Sequence, residues 1–295
     1  PAIIAFTGSF HGRTIGAVSV TGSNAKYRKY CEPLMGSVYF TPYPTRDLCP
    51  DGLDAAGRTA YCLEQLRHLL KYLVAPEMVA AIIMEPVQGE GGYVVPEKEF
   101  VQGVRALCDE YGILLIFDEI QAGYGRTGKM FASEHFGVVP DIMTLGKAIA
   151  GGLPMSAIIS TPQIMEEWHP GMHGTTFGGN PVVCAGANVV VDRMDQSFLA
   201  NVNERAVQLR AGIAKLPHVK SISGIGLMVG IEFYDLKAAD VLAACREAGL
   251  LVLTAKTRLR LLPPLTLSEH DVDMALEILS DVLGKMEPTA PKEQA

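Results

Sequence analysis

An apolar run from Ile113 ends in Asp118-Glu119, and Gly123-Tyr-Gly-Arg-Thr-Gly128-Lys129 follows at once. The first feature resembles the acidic strand end of an ATPase, and the second fits G-x-x-x-x-G-K, the backbone pattern of a phosphate-binding loop. Two physical arguments count against a nucleotide hydrolase. Met130 stands where a hydroxyl should hold Mg²⁺. The acidic strand end and the phosphate loop would also share one strand and its own following loop, whereas two strands must normally face one nucleotide. A second lysine, in Asp141-Ile-Met-Thr-Leu-Gly-Lys147-Ala-Ile-Ala-Gly-Gly152, offers different chemistry. It follows an apolar strand among small residues. A lysine desolvated there has a lowered pKa, and its neutral amine attacks an aldehyde to form a Schiff base. Taken alone it also reads as an ordinary surface lysine in a turn.

Elements of the right kind flank these residues. Short apolar runs at Ile3–Phe6, Ser37–Thr41, Val79–Glu85, Ile113–Asp118, Ile142–Leu145 and Ser156–Ser160 read as strands. Phe100, Val101, Val104, Leu107, Cys108 and Tyr111 recur at helical spacing, as do Tyr61, Leu66, Leu69 and Leu70. Strands alternating with helices predict an α/β fold with a mainly parallel sheet, whose ligands bind beyond the carboxyl ends of the strands. Glu85, Asp118 and the Gly-rich turns fall there. From Asn180-Pro181 the pattern predicts one long helix to about Leu216, then a strand pair across Ser223–Glu232 and a helix near Ala238–Glu247. Ser268 and Asp271 form a capping-box signature ahead of Val272, Leu276, Leu279 and Leu283. The expected organisation is a large domain over 1–190, a smaller α+β domain over 191–286, and a polar tail over 287–295 that reads as disordered. The Pro- and Gly-rich loop Pro42–Gly57 is long enough to be functional, and equally readable as surface filler.

Composition narrows the function. Of 295 residues 48% are hydrophobic and 19% charged, enough for a sizeable core, and the net charge of −7 has no basic run to set against it. Nucleic acid is therefore a poor partner. The six cysteines include no C-x-x-C pair, so free thiols in a reducing cytoplasm are expected, without a metal. No apolar run is long enough to span a bilayer, and no signal peptide is visible.

Seven segments in order resemble the class-III aminotransferases, pyridoxal phosphate enzymes of fold type I that include the ornithine, acetylornithine and 4-aminobutyrate types. They are Phe10-His-Gly-Arg-Thr14, Glu85-Pro-Val-Gln-Gly-Glu-Gly-Gly92, Asp118-Glu-Ile-Gln-Ala-Gly123, Gly125-Arg-Thr-Gly128, Asp141–Gly152, His173-Gly-Thr-Thr-Phe-Gly-Gly-Asn-Pro181 and Arg260-Leu-Leu-Pro-Pro264. Each is modest evidence by itself, and the ordered set covers nearly the whole chain. The resemblance makes the phosphate-loop match accidental, with GRTG structural.

By that resemblance Lys147 carries the Schiff base of pyridoxal 5′-phosphate and later moves a proton. Asp118 pairs with the pyridinium nitrogen and keeps the ring an electron sink. Gln121 reaches the phenolic oxygen, Ile120 packs beneath the ring on the same side as Asp118, and Phe10, with His11 beside it, covers the other face. Thr176, assisted by Thr175, holds the cofactor phosphate of a neighbouring subunit, which implies a homodimer. Arg13 reads the distal carboxylate and Arg260 the α-carboxylate of glutamate or 2-oxoglutarate. Glu85 is expected to pair with Arg260 when the donor lacks that carboxylate, although a local ion pair would also explain a strand-end glutamate.

The resemblance thus implies transfer of an amino group from an ω-amino donor such as 4-aminobutyrate, ornithine or N-acetylornithine to 2-oxoglutarate. Gln88-Gly89-Glu90 favours aminotransferases over the aminomutase and decarboxylase branches. A racemase or epimerase of the same family stays open, because it uses the same lysine. The chain opens on Pro1, after the point where the family's phosphate turn would lie. The expectation is that these residues alone hold the cofactor weakly and are inactive.

Overall fold

A computed structural model describes residues 1–288; of the tail expected over 287–295, the part from Thr289 onward lies outside the described residues. Six strands form the first sheet: β1 (Ala2–Phe6), β2 (Val38–Thr41), β3 (Val79–Met84), β4 (Leu114–Asp118), β5 (Ile142–Leu145) and β6 (Ala157–Ser160). Their order is β2-β1-β3-β4-β5-β6, and every pair is parallel except β5 with β6. Ile4 sits opposite Ile82, Ile83 opposite Ile116, and Asp118 opposite Thr144. This parallel register brings the carboxyl ends of β1, β3, β4 and β5 to one edge. The loop after Phe6, then Glu85, Asp118 and Lys147, all emerge there.

Helices α1 (Ala55–Tyr72) and α2 (Lys98–Tyr111) cover the sheet. The stripe Phe100, Val101, Val104, Leu107 and Cys108 is buried against Ile82, Leu115 and Phe117. At about 1.5–3 kcal/mol for each large apolar side chain removed from water, that stripe alone outweighs the weak intrinsic preference of a 14-residue helix. Gly112 ends α2 at φ +68°, the left-handed cap that glycine adopts without steric cost. Under the site edge, Phe6, Tyr43 and Phe100 pack edge to face with centroids 5.3–5.8 Å apart. The Tyr43 hydroxyl donates to the carbonyls of Glu85 and Pro86, both at 3.2 Å, and so fixes the turn leaving β3.

The long helix expected from residue 180 to about 216 is two helices, α3 (Pro181–Arg193) and α4 (Gln196–Ile213). Asp195 makes the break. Its Oδ1 accepts from the amide of Phe198 at 2.8 Å and the hydroxyl of Ser197 at 2.7 Å, so the side chain caps a new helix. The apolar content on both sides hid this in the sequence. The second sheet is antiparallel, order β7-β8-β10-β9, from β7 (Val219–Ser223), β8 (Val229–Phe233), β9 (Leu253–Ala255) and β10 (Arg258–Leu261). The hairpin β9–β10 was not anticipated, because its strands are short and carry Arg258 and Arg260 among their apolar residues. Helices α4, α5 (Ala238–Glu247) and α6 (Glu269–Lys285) close its core around Leu209, Val229, Leu259, Val272 and Leu279. The Ser268–Asp271 capping box is formed.

The GRTG turn joins the two sheets. Leu227 donates to the Arg126 carbonyl at 3.1 Å, and the Arg126 guanidinium to the Pro263 carbonyl at 2.6 Å. Gly226 is required at this joint: its φ is +57°, and a Cβ would lie 2.5 Å from the Thr127 carbonyl carbon. The loop Pro42–Gly57 contributes a further tie, Asp47 to Lys256 at 2.7 Å. Among the described residues, no helix is long and apolar enough to cross a membrane.

Candidate active site

The converging strand ends enclose a cavity of about 210 Å³ lined by Phe10, His11, Gly12, Glu85, Glu90, Asp118, Ile120, Gln121 and Lys147. Seven of these were expected at the site. Lys147 opens the turn after β5 at φ +47°, a left-handed conformation costing a non-glycine residue about 1–2 kcal/mol. Strain of that order persists where surrounding structure enforces it. Lys147 lines the cavity and remains exposed, and its amine has no hydrogen-bond partner among the described residues. Partial desolvation lowers the Lys147 pKa; Asp118, Glu85 and Glu90 oppose that shift, and Arg260 adds to it. An amine poised in this way carries a proton less tightly than a surface lysine.

Asp118 and Glu119 point to different tasks. The Asp118 carboxylate faces the cavity, with Oδ2 2.7 Å from His11 Nδ1 and Oδ1 accepting from the Ile120 amide at 3.1 Å. That second bond turns the chain at once, so Ile120 reaches the cavity from a turn. Its methyl groups lie against Gly146, where a Cβ would approach to 3.4 Å. Glu119 instead accepts from the amides of Ala132 at 3.0 Å and Ser133 at 2.7 Å, stapling the loop that contains GRTG. Burial holds its carboxyl up at about 7. Lys129 is spent on the Glu134 carbonyl at 3.1 Å. The phosphate-loop pattern is therefore a largely buried structural turn.

Two buried polar atoms on the cavity residues lack a partner, His11 Nε2 and Gln121 Oε1. Groups left unpaired in a cavity wall are what a polar ligand would satisfy. Gln121 in turn needs Gly89 opposite it, since a Cβ there would lie 2.5 Å from Oε1.

The pair expected between Glu85 and Arg260 is made by another residue. Glu85 accepts from the amides of Phe10 at 2.7 Å and Gly89 at 2.8 Å, one per oxygen, and is almost fully buried. It thereby clamps the Phe10 loop to the Gly89 loop, and burial raises its carboxyl to about 7. Glu90 meets Arg260 instead, Oε1 to Nη1 at 2.6 Å. Both glutamates lie in the quoted Glu85–Gly92 segment, and spacing cannot say which one faces a strand of the other sheet. Arg260 also lies over the Tyr93 ring at 5.7 Å. Arg13 stands beside the cavity with no carboxylate partner among the described residues, its guanidinium 5.7 Å from the Phe10 ring and 4.6 Å from that of Tyr27.

Thr175 and Thr176 are exposed and do not reach this cavity. Thr175 lines a separate, open depression of about 470 Å³ with Met155, Trp168, His173 and Phe177.

Comparison with known proteins identifies the family. The family model of aminotransferase class-III matches residues 1–283. The acetylornithine aminotransferase of Haemophilus ducreyi is 41% identical over 285 residues, covering 96% of this chain and 67% of its own length. The 4-aminobutyrate aminotransferase of Escherichia coli is 37% identical over 295 residues, covering 94% and 67%. A pyridoxal-phosphate-bound amine transaminase from an uncultivated Pseudomonas species superposes with a TM-score of 0.87 at 30% identity, covering 96% of this chain and 69% of that one. Fold and site thus define a transaminase of fold type I. The chain belongs to the class-III aminotransferases. It spans between 59% and 71% of the length of the curated relatives compared.

Proposed function

We propose that the protein transfers an amino group from an ω-amino donor of the acetylornithine, ornithine or 4-aminobutyrate kind to 2-oxoglutarate. The observation that carries this reading is the placement of Lys147 and Asp118 in the wall of a single cavity, with Arg13 and Arg260 each in contact with another residue of that wall, Phe10 and Glu90. The cofactor is pyridoxal 5′-phosphate, whose ring, when bound, withdraws electrons from the substrate carbon. The residues fit its ring. Asp118, oriented by His11 and the Ile120 amide, would hold a proton on the ring nitrogen. Gln121, whose Oε1 is unpaired, would turn its side-chain amide to the phenolic oxygen. Ile120 supplies an apolar floor and Phe10 a face above. Lys147 Nζ would attach the cofactor and, once displaced, move the proton at the substrate carbon, as suits an amine with a lowered pKa.

The two arginines divide substrate recognition. Arg13, free of carboxylates, would take the distal carboxylate. Arg260 would take the α-carboxylate of 2-oxoglutarate after Glu90 releases it. While an ω-amino donor is bound, Glu90 neutralises Arg260, so one pocket serves two unlike substrates. The test is a donor panel of N-acetylornithine, ornithine, 4-aminobutyrate and 2-aminoadipate with 2-oxoglutarate, read as glutamate formed. Arg260→Ala is expected to raise KM for 2-oxoglutarate by about a hundredfold, as loss of a two-point contact to a carboxylate does. Absence of glutamate with every donor from protein that carries bound pyridoxal phosphate, or product that forms without any keto acid, would defeat the proposal; the latter result would mark a racemase.

Two copies would complete the phosphate site. The walls of the cavity carry carboxylates in place of phosphate ligands, and Thr176 is exposed beside Phe177, which is 82% exposed and lines one depression with Ile158 and Trp168. An apolar patch of this kind marks an interface. Sedimentation equilibrium is expected to read twice the chain mass, and Phe177→Asp is expected to lower it toward one.

A further inference from the structure

One side chain touches the machinery for both substrate carboxylates and has no role in the reading above. Tyr27 closes a short turn, Ala25–Tyr27, whose Asn24 Oδ1 accepts from the Lys26 amide at 2.9 Å. Arg28 ties that turn down by donating to the carbonyls of Ser19 at 3.2 Å and Thr21 at 3.1 Å. Thr21 Oγ1 in turn accepts from the His11 amide at 3.0 Å, so hydrogen bonds tie the turn to the Phe10–Arg13 loop. From this position the Tyr27 hydroxyl donates to Glu90 Oε2 at 3.2 Å, while Oε1 of the same carboxylate holds Arg260. The Tyr27 ring meets Phe10 at 5.0 Å and 65°, and Arg13 lies over it at 4.6 Å. Lys26 Nζ stands 4.9 Å from the same ring.

We propose that Tyr27 is a specificity-determining positioning residue: its hydroxyl keeps Glu90 on Arg260, and its ring carries Arg13. Resting on the transaminase reading, this assigns to one residue the balance between the two carboxylate readers. The physical reason lies in the carboxylate geometry. Glu90 has two oxygens, and with both engaged its rotamer is fixed across Arg260. With one released the side chain swings away at less cost, which frees the arginine. The cation–π contact meanwhile holds an unpaired guanidinium in place without neutralising it.

The experiment compares wild type, Tyr27→Phe and Tyr27→Leu as holoenzymes, with KM measured separately for the amino donor and for 2-oxoglutarate. Tyr27→Phe keeps the ring and removes only the hydroxyl. It is expected to raise donor KM about tenfold, the size of one hydrogen bond to a charged acceptor, without raising KM for 2-oxoglutarate. Tyr27→Leu is expected to raise donor KM further and KM for 2-oxoglutarate with it, because Arg13, the reader of the distal carboxylate, loses its platform. In a Glu90→Ala background, Tyr27→Phe is expected to change donor KM no further, since the bond it removes is already gone. A merely structural tyrosine would shift both KM values together already in Tyr27→Phe and act equally in either background. That result, or no change in the Tyr27→Phe variant while wild type transaminates normally, would overturn the proposal. If wild type forms no glutamate with any donor, the transaminase reading itself fails and this assignment falls with it.

Discussion

Lys147→Ala is expected to lower transamination by about 10³- to 10⁴-fold, since it removes both the attachment point and the proton carrier. The check is twofold. Glutamate formation is measured in steady state, and the cofactor is fixed to the protein with borohydride and located by peptide mass. Wild type should carry the cofactor on the peptide containing Lys147, and the variant should carry none. Lys147 sits at φ +47°, so the backbone offers a control for misfolding. Lys147→Gly removes the amine and also relieves the left-handed strain, and is expected to be as inactive as the alanine variant yet more stable than it by about 1 kcal/mol. Lys129→Ala should leave activity intact, because that amine reaches only the Glu134 carbonyl. Full activity in Lys147→Ala, or its loss in Lys129→Ala, would place the chemistry elsewhere.

Asp118 and Glu119 are neighbours whose substitution should have opposite consequences. Asp118→Asn preserves size and removes the charge that would hold a proton on the ring nitrogen, so a loss of about 10³-fold in kcat is expected with little change in melting temperature. Glu119→Gln leaves the cavity untouched. It replaces one of the two acceptors for the Ala132 and Ser133 amides with a donor, at a cost of about 1–3 kcal/mol. Melting temperature should fall by several degrees while activity per folded molecule stays near that of wild type.

The pH dependence has a definite sign. Burial, opposed by the two amide bonds, raises the Glu119 carboxyl from 4.5 to about 7 in the folded protein. Between those values the folded state binds the extra proton, so stability falls as pH rises through this window and then levels off. Glu119→Gln should flatten part of that slope, leaving the share due to Glu85, which is shifted likewise. Denaturation midpoints across the window would read it. A slope unchanged by the substitution would mean that Glu119 does not titrate there.

Local sequence determined more of this protein than its low charge and plain composition suggest. Each strand of the first sheet is a short apolar run bounded by turn residues, and each was placed to within a residue or two. The amphipathic α2 and the capping box at Ser268 were equally legible, because periodicity and capping act within a few residues. Lys147 and Asp118 stood out because a charge at the end of an apolar strand is an anomaly at any scale. The α3–α4 break was missed because a capping aspartate looks like any polar residue in a helix. The β9–β10 hairpin was missed because short strands gain their stability from pairing, which a single sequence does not display.

Only the tertiary structure could decide which glutamate faces Arg260. Glu85 and Glu90 are five residues apart in one segment, while Arg260 lies on β10 of the other sheet. Their pairing depends on how the GRTG joint and the Gly89 loop set two sheets against each other. The same holds for Tyr27, whose position beneath Arg13 and against Glu90 is fixed where Arg28 donates to the Ser19 and Thr21 carbonyls and Thr21 accepts from the His11 amide of the active-site loop. Residue type and spacing specify which groups exist and which local elements carry them. Distances between groups remote in sequence are set by packing, and the recognition of two unlike substrates depends on those distances.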